Sequence, residues 1–257
     1  MTILALVGHP PPGACSEEKL LETNLAFYDP LWKQSRLASA ETFNTWPLVH
    51  SLLREPQSRL EVGPGLRPRL PLEGTCFVDA SLPAVTKLRE HGARAQFGLV
   101  SHLPFGDRAF DLVAAFDIVE HVDDDDAALS ELTRVAAPMS TLLLSAPLHP
   151  SRWTKFDEVV GHRRRYEPEQ LVSKLARHGL SVTGTAVYGM QPRSAMLLDF
   201  GVWGLTHRRE RAIWWYDRVL LRLGVMLQKK LELVPGMMDV GDVDEVLLEC
   251  RKTGATA

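Results

Sequence analysis

The residues of this chain best suited to chemistry are a loop and an acid. The loop is Glu61-Val62-Gly63-Pro64-Gly65, and the acid is Asp79, which closes "TCFVD". Two glycines one residue apart let the backbone take positive φ and come close to a ligand. A carboxylate at the end of the following strand can accept from both hydroxyls of a ribose, and the pair is stronger evidence than Gly-x-Gly alone. A plain turn would explain the glycines and a helix N-cap would explain Asp79, but Ser81 can fill the cap instead. The pattern therefore points to a ribose-bearing ligand. Three histidines, His121, His149 and His162, fall in loops or helix starts on the same expected side. Imidazole is the usual base near neutral pH. His149 directly follows a strand in "SAPLHP" and is the first candidate base; His162 in "GHRRRY" is the second. The structural alternative for "GHRRRY" is that its arginines pair with the acids at 123–126 while Tyr166 packs before Pro168, and His121 reads as a residue that orders its loop. The run Asp123-Asp124-Asp125-Asp126 suggests a metal, but four consecutive carboxylates do not converge on one ion. They fit a helix N-terminus, where each is favourable by about 0.3–1 kcal/mol. No metal is expected.

These residues need elements to hold them. "RLEV" (59–62) is a short strand running into glycine, and "TCFVD" (75–79) is a second strand ending on the acid. Residues 82–91 form a helix stopped by Gly92, and 95–99 a third strand. "FDLVAAF" (110–116) is almost continuously apolar, as a strand covered on both faces should be. A helix at 123–136, strand 140–146, helix 168–178, strand 181–188 and last strand 245–249 follow. Strands alternating with helices give an α/β, doubly wound, mostly parallel sheet, and ligands of such sheets lie beyond the carboxyl ends of the strands. Before the first strand, 1–15 reads as a loose arm and 16–55 as mostly helical, with Ser16 as a cap and a second helical stretch at 41–54 broken near Pro47. The domain reading is an arm and helical cap at 1–57, a ligand-binding core at 58–190, a helical insertion at 191–243, and the last strand with a tail at 244–257.

Bulk properties narrow the class. The 257 residues carry a net charge of −3, with 45% hydrophobic and 24% charged residues, so no nucleic-acid partner is expected. Cys15, Cys76 and Cys250 are far apart and odd in number, which reads as a reducing compartment. The apolar start lacks a basic segment and meets His9-Pro10-Pro11-Pro12-Gly13, and no run reaches the length of a membrane span. A cytoplasmic location is expected.

The ordered motifs "EVGPG", "FVDAS", "LPFGDRAFDLVAAFDIVEHV", "ELTRVAAP", "LLLSAP" and "GHRRRYEPEQL" resemble the class I S-adenosylmethionine-dependent methyltransferases of the small-molecule branch. The resemblance covers about 58–188 plus the strand at 245–251. It implies a Rossmann-like methyltransferase fold: a seven-stranded sheet with N-terminal helices and a helical insertion before a last, antiparallel strand. It also implies S-adenosylmethionine as cofactor, S-adenosylhomocysteine as product and methylation of a small-molecule acceptor at oxygen or nitrogen. By the same resemblance Glu61, Gly63, Pro64 and Gly65 line the methionine end, Asp79 takes the ribose, Ser81 and Leu82 flank the adenine, Leu99 and Val100 lie against it, and Asp117 and Ile118 face the acceptor. Two positions depart from the family pattern: Arg67 stands at the third glycine, and Leu99 where an acid often accepts from the adenine amine.

Only nine residues, 66–74, join the first two strands, and two of them are prolines. A crossover helix needs more chain, and proline removes donors and fixes φ. The spacing predicts an extended crossover with at most one helical turn. A helix N-terminus there would favour an anion, so its absence suits a sulfonium and argues against a nicotinamide dinucleotide. The insertion "HRRERAIWWYDRVLLRLGVMLQKK" mixes tryptophans and leucines with arginines. It admits a wall over a pocket for a large apolar acceptor, an interfacial helix at a membrane surface, a homodimer surface, or a helix simply packed on the sheet. Phe27, Tyr28 and Trp32 are candidates to cover the cofactor. The rival functions are a non-catalytic module that binds S-adenosylmethionine or S-adenosylhomocysteine, and a membrane-surface protein using 207–230.

Overall fold

A computed structural model describes residues 26–189, 203–204 and 207–253. The expected arm, the Ser16 cap and part of the insertion lie outside the described residues. Residues 26–34 form helix α1, a 3-10 turn spans Ala40–Thr42, and α2 is Trp46–Leu52. The helical stretch expected over 41–54 is interrupted at 43–45, just before Pro47. Pro47 lies in the first turn of α2, where its missing N–H has no intrahelical partner to lose.

The core strands are β1 (Arg59–Val62), β2 (Thr75–Asp79), β3 (Arg94–Phe97), β4 (Phe110–Ala115), β5 (Ala136–Pro147), β6 (Leu180–Val187), β7 (Val234–Pro235) and β8 (Glu245–Lys252). They make one sheet in the order β3-β2-β1-β4-β5-β8-β6-β7. β1 to β5 pair in parallel, and β8 runs antiparallel between β5 and β6. This is the expected sheet with an eighth strand, the two-residue β7, hydrogen-bonded to the edge of β6. β5 begins four residues earlier than the sequence pattern suggests, because the chain leaves the preceding helix at Ala136 already extended.

Helices α3 (Leu82–Glu90), α4 (Asp125–Val135), α5 (Lys155–Val160) and α6 (Pro168–Arg177) connect the strands. On one face, Leu60, Val62, Val113, Leu142 and Leu144 pack with Leu129 and Leu132 of α4 and Leu171 and Leu175 of α6. On the other, Phe77 packs with Leu88 of α3, and Leu112, Ala114 and Leu143 pack with Val49 of α2. The link between β1 and β2 contains no helix, as its length and prolines require. Its Leu66 and Leu70 are fully buried. Leu66 joins the α3 side and Leu70 the α2 side, so these two side chains with α2 occupy the layer a crossover helix would fill. The later chain is α-helical over Arg209–Trp215, π-helical over Tyr216–Leu220 and α-helical again over Leu221–Leu227. This arm touches the core through Ile213, which packs in the cluster of Trp32 and Leu66.

Candidate functional site

A cavity of about 310 Å³ opens at the carboxyl ends of β1, β2 and β4. Its lining includes Glu61, Gly63, Pro64, Gly65, Asp79, Ser81, Leu99, Val100, Asp117 and Ile118, all of which the sequence singled out. Leu82 is absent from the lining. It starts α3 and stands 43% exposed. Tyr28 and Trp32 of α1 cover one side, with Tyr188 and Arg69 on another.

The loop after β1 is built for close approach. Gly63 (φ +68°) donates its N–H to Val78 O at 2.7 Å, and a Cβ there would meet Ile118 Cδ1 at 2.0 Å. Gly65 (φ +53°) donates to Asp79 Oδ2 at 2.8 Å, and a Cβ there would enter the Trp32 ring. The second Asp79 oxygen accepts from Ser81 N–H at 2.8 Å. An ionised carboxylate offers about four acceptor sites, so two remain for the hydroxyls of a ribose. Ser81 takes the cap of α3, accepting from Ala84 N–H, and this leaves Asp79 to the ligand side. Burial pushes the Asp79 carboxyl up to about 6 against the two backbone N–H bonds, and the nearby Asp29 adds to the rise.

Glu61 lines the cavity as expected and has a second, structural task. Both of its oxygens lie within 3.0 Å of Arg69 N–H, and Oε2 also accepts from Leu70 N–H at 2.8 Å. The carboxylate thus pins the crossover while one edge of the side chain meets the cavity. Burial pushes it up to about 7. Arg67 lines the cavity with its guanidinium 5.3 Å from the Trp32 ring centroid. In dinucleotide folds the third glycine allows a helix to pack closely on its strand. Without that helix the position needs no glycine, and a side chain that stacks on the cover is tolerated.

Further round, Asp117 (φ +55°) follows β4, and its N–H donates to Ser145 Oγ at 2.8 Å. His121 lines the cavity although the sequence assigned it only to loop order. Its ring meets Tyr28 at 5.8 Å and His162 at 4.7 Å between centroids, both edge-on. Burial, then the neighbouring His162, hold His121 down near 3, so it is a neutral imidazole at pH 7. Beside it, burial and then Asp117 hold the Glu120 carboxyl well above its ordinary range.

The two favoured histidines do not line the cavity. His149 (φ +59°) sets a ring nitrogen 2.9 Å from Val240 O, tying the end of β5 to the segment before β8. His162 lies behind His121 and bonds Asp157 through Nδ1 at 2.8 Å. The arginines of "GHRRRY" pair with Asp123, Asp125 and, for Arg165, the buried Asp157. Tyr166 donates to Asp125 at 2.9 Å. The acidic run is consumed one residue at a time: Asp124 caps α4 and Asp126 binds Lys174 and His178. His121, placed on this side by the sequence but read as ordering its loop, is thus the histidine that reaches the cavity, and Arg69, Ser101 and Tyr188 line it without having been singled out.

The family model described as a methyltransferase domain matches residues 62–144, which contain β2 to β4 and most of the cavity. An S-adenosylmethionine-dependent methyltransferase from Thermotoga maritima is similar at 15% identity and a TM-score of 0.54, over 93% of this chain and 96% of that one. The [4+2]-cyclase SpnF is similar at 20% identity and a TM-score of 0.58, over 96% and 100%. A further S-adenosylmethionine-dependent methyltransferase, from Mesorhizobium loti, aligns at 13% identity and 0.50, over 83% and 100%. At these identities the structural likeness speaks for the fold. The lining suits S-adenosylmethionine: a carboxylate with spare acceptor sites for the ribose, an apolar Val78–Leu99–Val100 wall for a base, and, over residues 63–74 after β1, no helix whose N-terminus would recruit a pyrophosphate.

Proposed function

We propose that the protein transfers a methyl group to an oxygen or nitrogen of a small-molecule acceptor held where Asp117, Ile118, His121 and Tyr188 face the cavity. The observation that supports this reading is the joining of the Gly63–Gly65 loop, Asp79 and these residues in one cavity. When bound, S-adenosylmethionine supplies an electrophilic methyl carbon on a sulfonium. The work left to this chain is positioning. Asp79 holds the ribose, and Leu99 and Val100 receive the adenine. Ser101 also lines the cavity and can accept from the adenine amine, which Leu99 cannot. Gly63 and Gly65 let the chain close on the cofactor, and Trp32 and Tyr28 roof it against water.

Calorimetry with S-adenosylhomocysteine tests the cofactor half. Asp79→Asn removes the charge that receives the ribose hydroxyls, and hydrogen bonds to charged groups contribute about 1.5–3 kcal/mol. We expect affinity to fall about tenfold to hundredfold. Undiminished binding by the variant would remove Asp79 from the site. Turnover by the wild-type protein across hydroxyl and amine acceptors tests the other half; binding without transfer to any acceptor would leave a non-catalytic cofactor-binding module.

A second reading concerns where the acceptor comes from. Trp214, Trp215, Leu220, Leu223, Met226 and Leu227 of the arm that Ile213 anchors beside Trp32 are exposed, and Met226 and Leu227 stand 80% exposed. This supports a large apolar acceptor taken up at a membrane surface. No described helix is long and apolar enough to cross a membrane. The cytoplasmic assignment belongs to this reading too, and rests on the cysteines: Cys76 and Cys250 are both free thiols.

A further inference from the structure

We propose that Glu120, His121 and His162 form a binding site for one divalent transition-metal ion in the wall of the cavity. Among the described residues, these three alone bring one ligand atom each from His, Cys, Asp or Glu to within 4.8 Å of one another. Two come from the 3-10 turn Val119–His121 and the third from the loop after α5. The acidic run does nothing comparable.

Two further observations point to a cation. Glu120 is 1% exposed, and its Oε2 has no hydrogen-bond partner among the described residues. A buried carboxylate oxygen left without a partner costs about 1–3 kcal/mol or more, and an ion between it and the imidazoles would satisfy it. Behind the site, His162 Nδ1 lies 2.8 Å from Asp157 Oδ1. Asp157 is itself fixed by Arg165, at 3.0 Å, and by Thr154. A carboxylate on one ring nitrogen sets the tautomer so that the other presents its lone pair, the usual support of a metal-binding histidine.

The donor set selects the ion. Two imidazoles and one carboxylate suit Zn²⁺, Fe²⁺ or Mn²⁺ better than Mg²⁺ or Ca²⁺, which prefer oxygen throughout. Three protein ligands leave positions open. Because His121 lines the cavity, those positions face the acceptor end, where a bound oxygen would lose its proton more easily. That role rests on the methyl-transfer reading; the ion site itself does not.

The test uses the full chain without an affinity tag, stripped by chelator. Titration with Mn²⁺, followed by electron paramagnetic resonance, and with Zn²⁺, followed by calorimetry, should give one ion per chain. Pulsed resonance on bound Mn²⁺ should show nitrogen coupling from imidazole, which needs no variant. Glu120→Gln, which keeps the side chain's size, and His162→Ala should each weaken binding at least about tenfold to hundredfold, while Asp126→Asn should not. Binding of S-adenosylhomocysteine checks that each variant folds, and its absence from the wild type would count against the methyltransferase reading without touching the metal result. No stoichiometric binding at millimolar metal, binding without nitrogen coupling, or loss on Asp126→Asn but not on Glu120→Gln would overturn the proposal.

Discussion

Asp79 shows how a single residue carries both a legible role and a measurable one. Its position after a strand, following Gly-x-Gly, was readable because the relation is local to one βαβ-like unit. Its titration follows from burial. The carboxyl moves from an ordinary 3.8 to about 6 in the folded chain. A raised acid holds its proton in the folded state where the unfolded chain has lost it, so its contribution to stability is present at low pH and is lost as pH climbs from about 4 to about 6. A ribose reverses the preference, since its hydroxyls donate more strongly, and to more acceptor sites, in the ionised form. We therefore expect S-adenosylhomocysteine affinity to rise as pH climbs through 6 and level off above it. Near pH 5.5, about half a unit below that value, binding should release protons, read as a buffer-dependent enthalpy. Asp79→Asn should flatten the pH profile, and a flat wild-type profile would refute the assignment. His121 and His162 illustrate the opposite case. No sequence pattern pairs them, because the loop after α5 brings them together only in three dimensions. The expectation of no metal weighed the four consecutive acids and not this pair.

At the scale of elements, the strands were legible because burial on both faces leaves a nearly continuous apolar run, as in Phe110–Ala115. The helix-less crossover was legible too, from its length and prolines. What holds it was not. Glu61 was legible only as a cavity residue, while its carboxylate also gathers the N–H groups of Arg69 and Leu70 that a helix would have satisfied internally. Side-chain capping of an irregular segment leaves no periodic trace. Glu61→Ala should leave those two donors unsatisfied, at a cost of about 1–3 kcal/mol each. Thermal unfolding should report the loss of stability, and hydrogen exchange should show faster amide exchange across residues 66–74 than in β2. Equal protection of that segment in variant and wild type would mean that Leu66 and Leu70 alone anchor it. The break near Pro47 was legible as well, since proline removes an N–H that only a first helical turn can spare, and α2 starts there.

At the scale of the whole molecule, the sequence left the arm open among wall, membrane contact, dimer surface and packed helix. Ile213 answers part of that, since it anchors the arm beside Trp32, and Gln228 and Lys229 tie its end to Asn44. The rest depends on what meets the exposed face, and charge makes one outcome specific. Between 207 and 230 the chain carries Arg208, Arg209, Arg211, Arg218, Arg222, Lys229 and Lys230 against only Glu210 and Asp217, although the whole protein has a net charge of −3. An anionic lipid surface attracts such a segment by about 1 kcal/mol per basic residue near it, and apolar side chains that enter the interface add to this. Salt screens the first contribution and leaves the second. Sedimentation with vesicles should therefore retain the protein on phosphatidylserine-containing membranes at low salt, weakly at high salt, and hardly at all on phosphatidylcholine alone. Replacing Leu220, Met226 and Leu227 together by serine should weaken retention at low salt, abolish what remains at high salt, and leave S-adenosylhomocysteine binding intact, because the arm's anchor at Ile213 is untouched. If the wild type stays in the supernatant with anionic vesicles at low salt, the arm is not an interfacial helix and the acceptor does not arrive from the membrane.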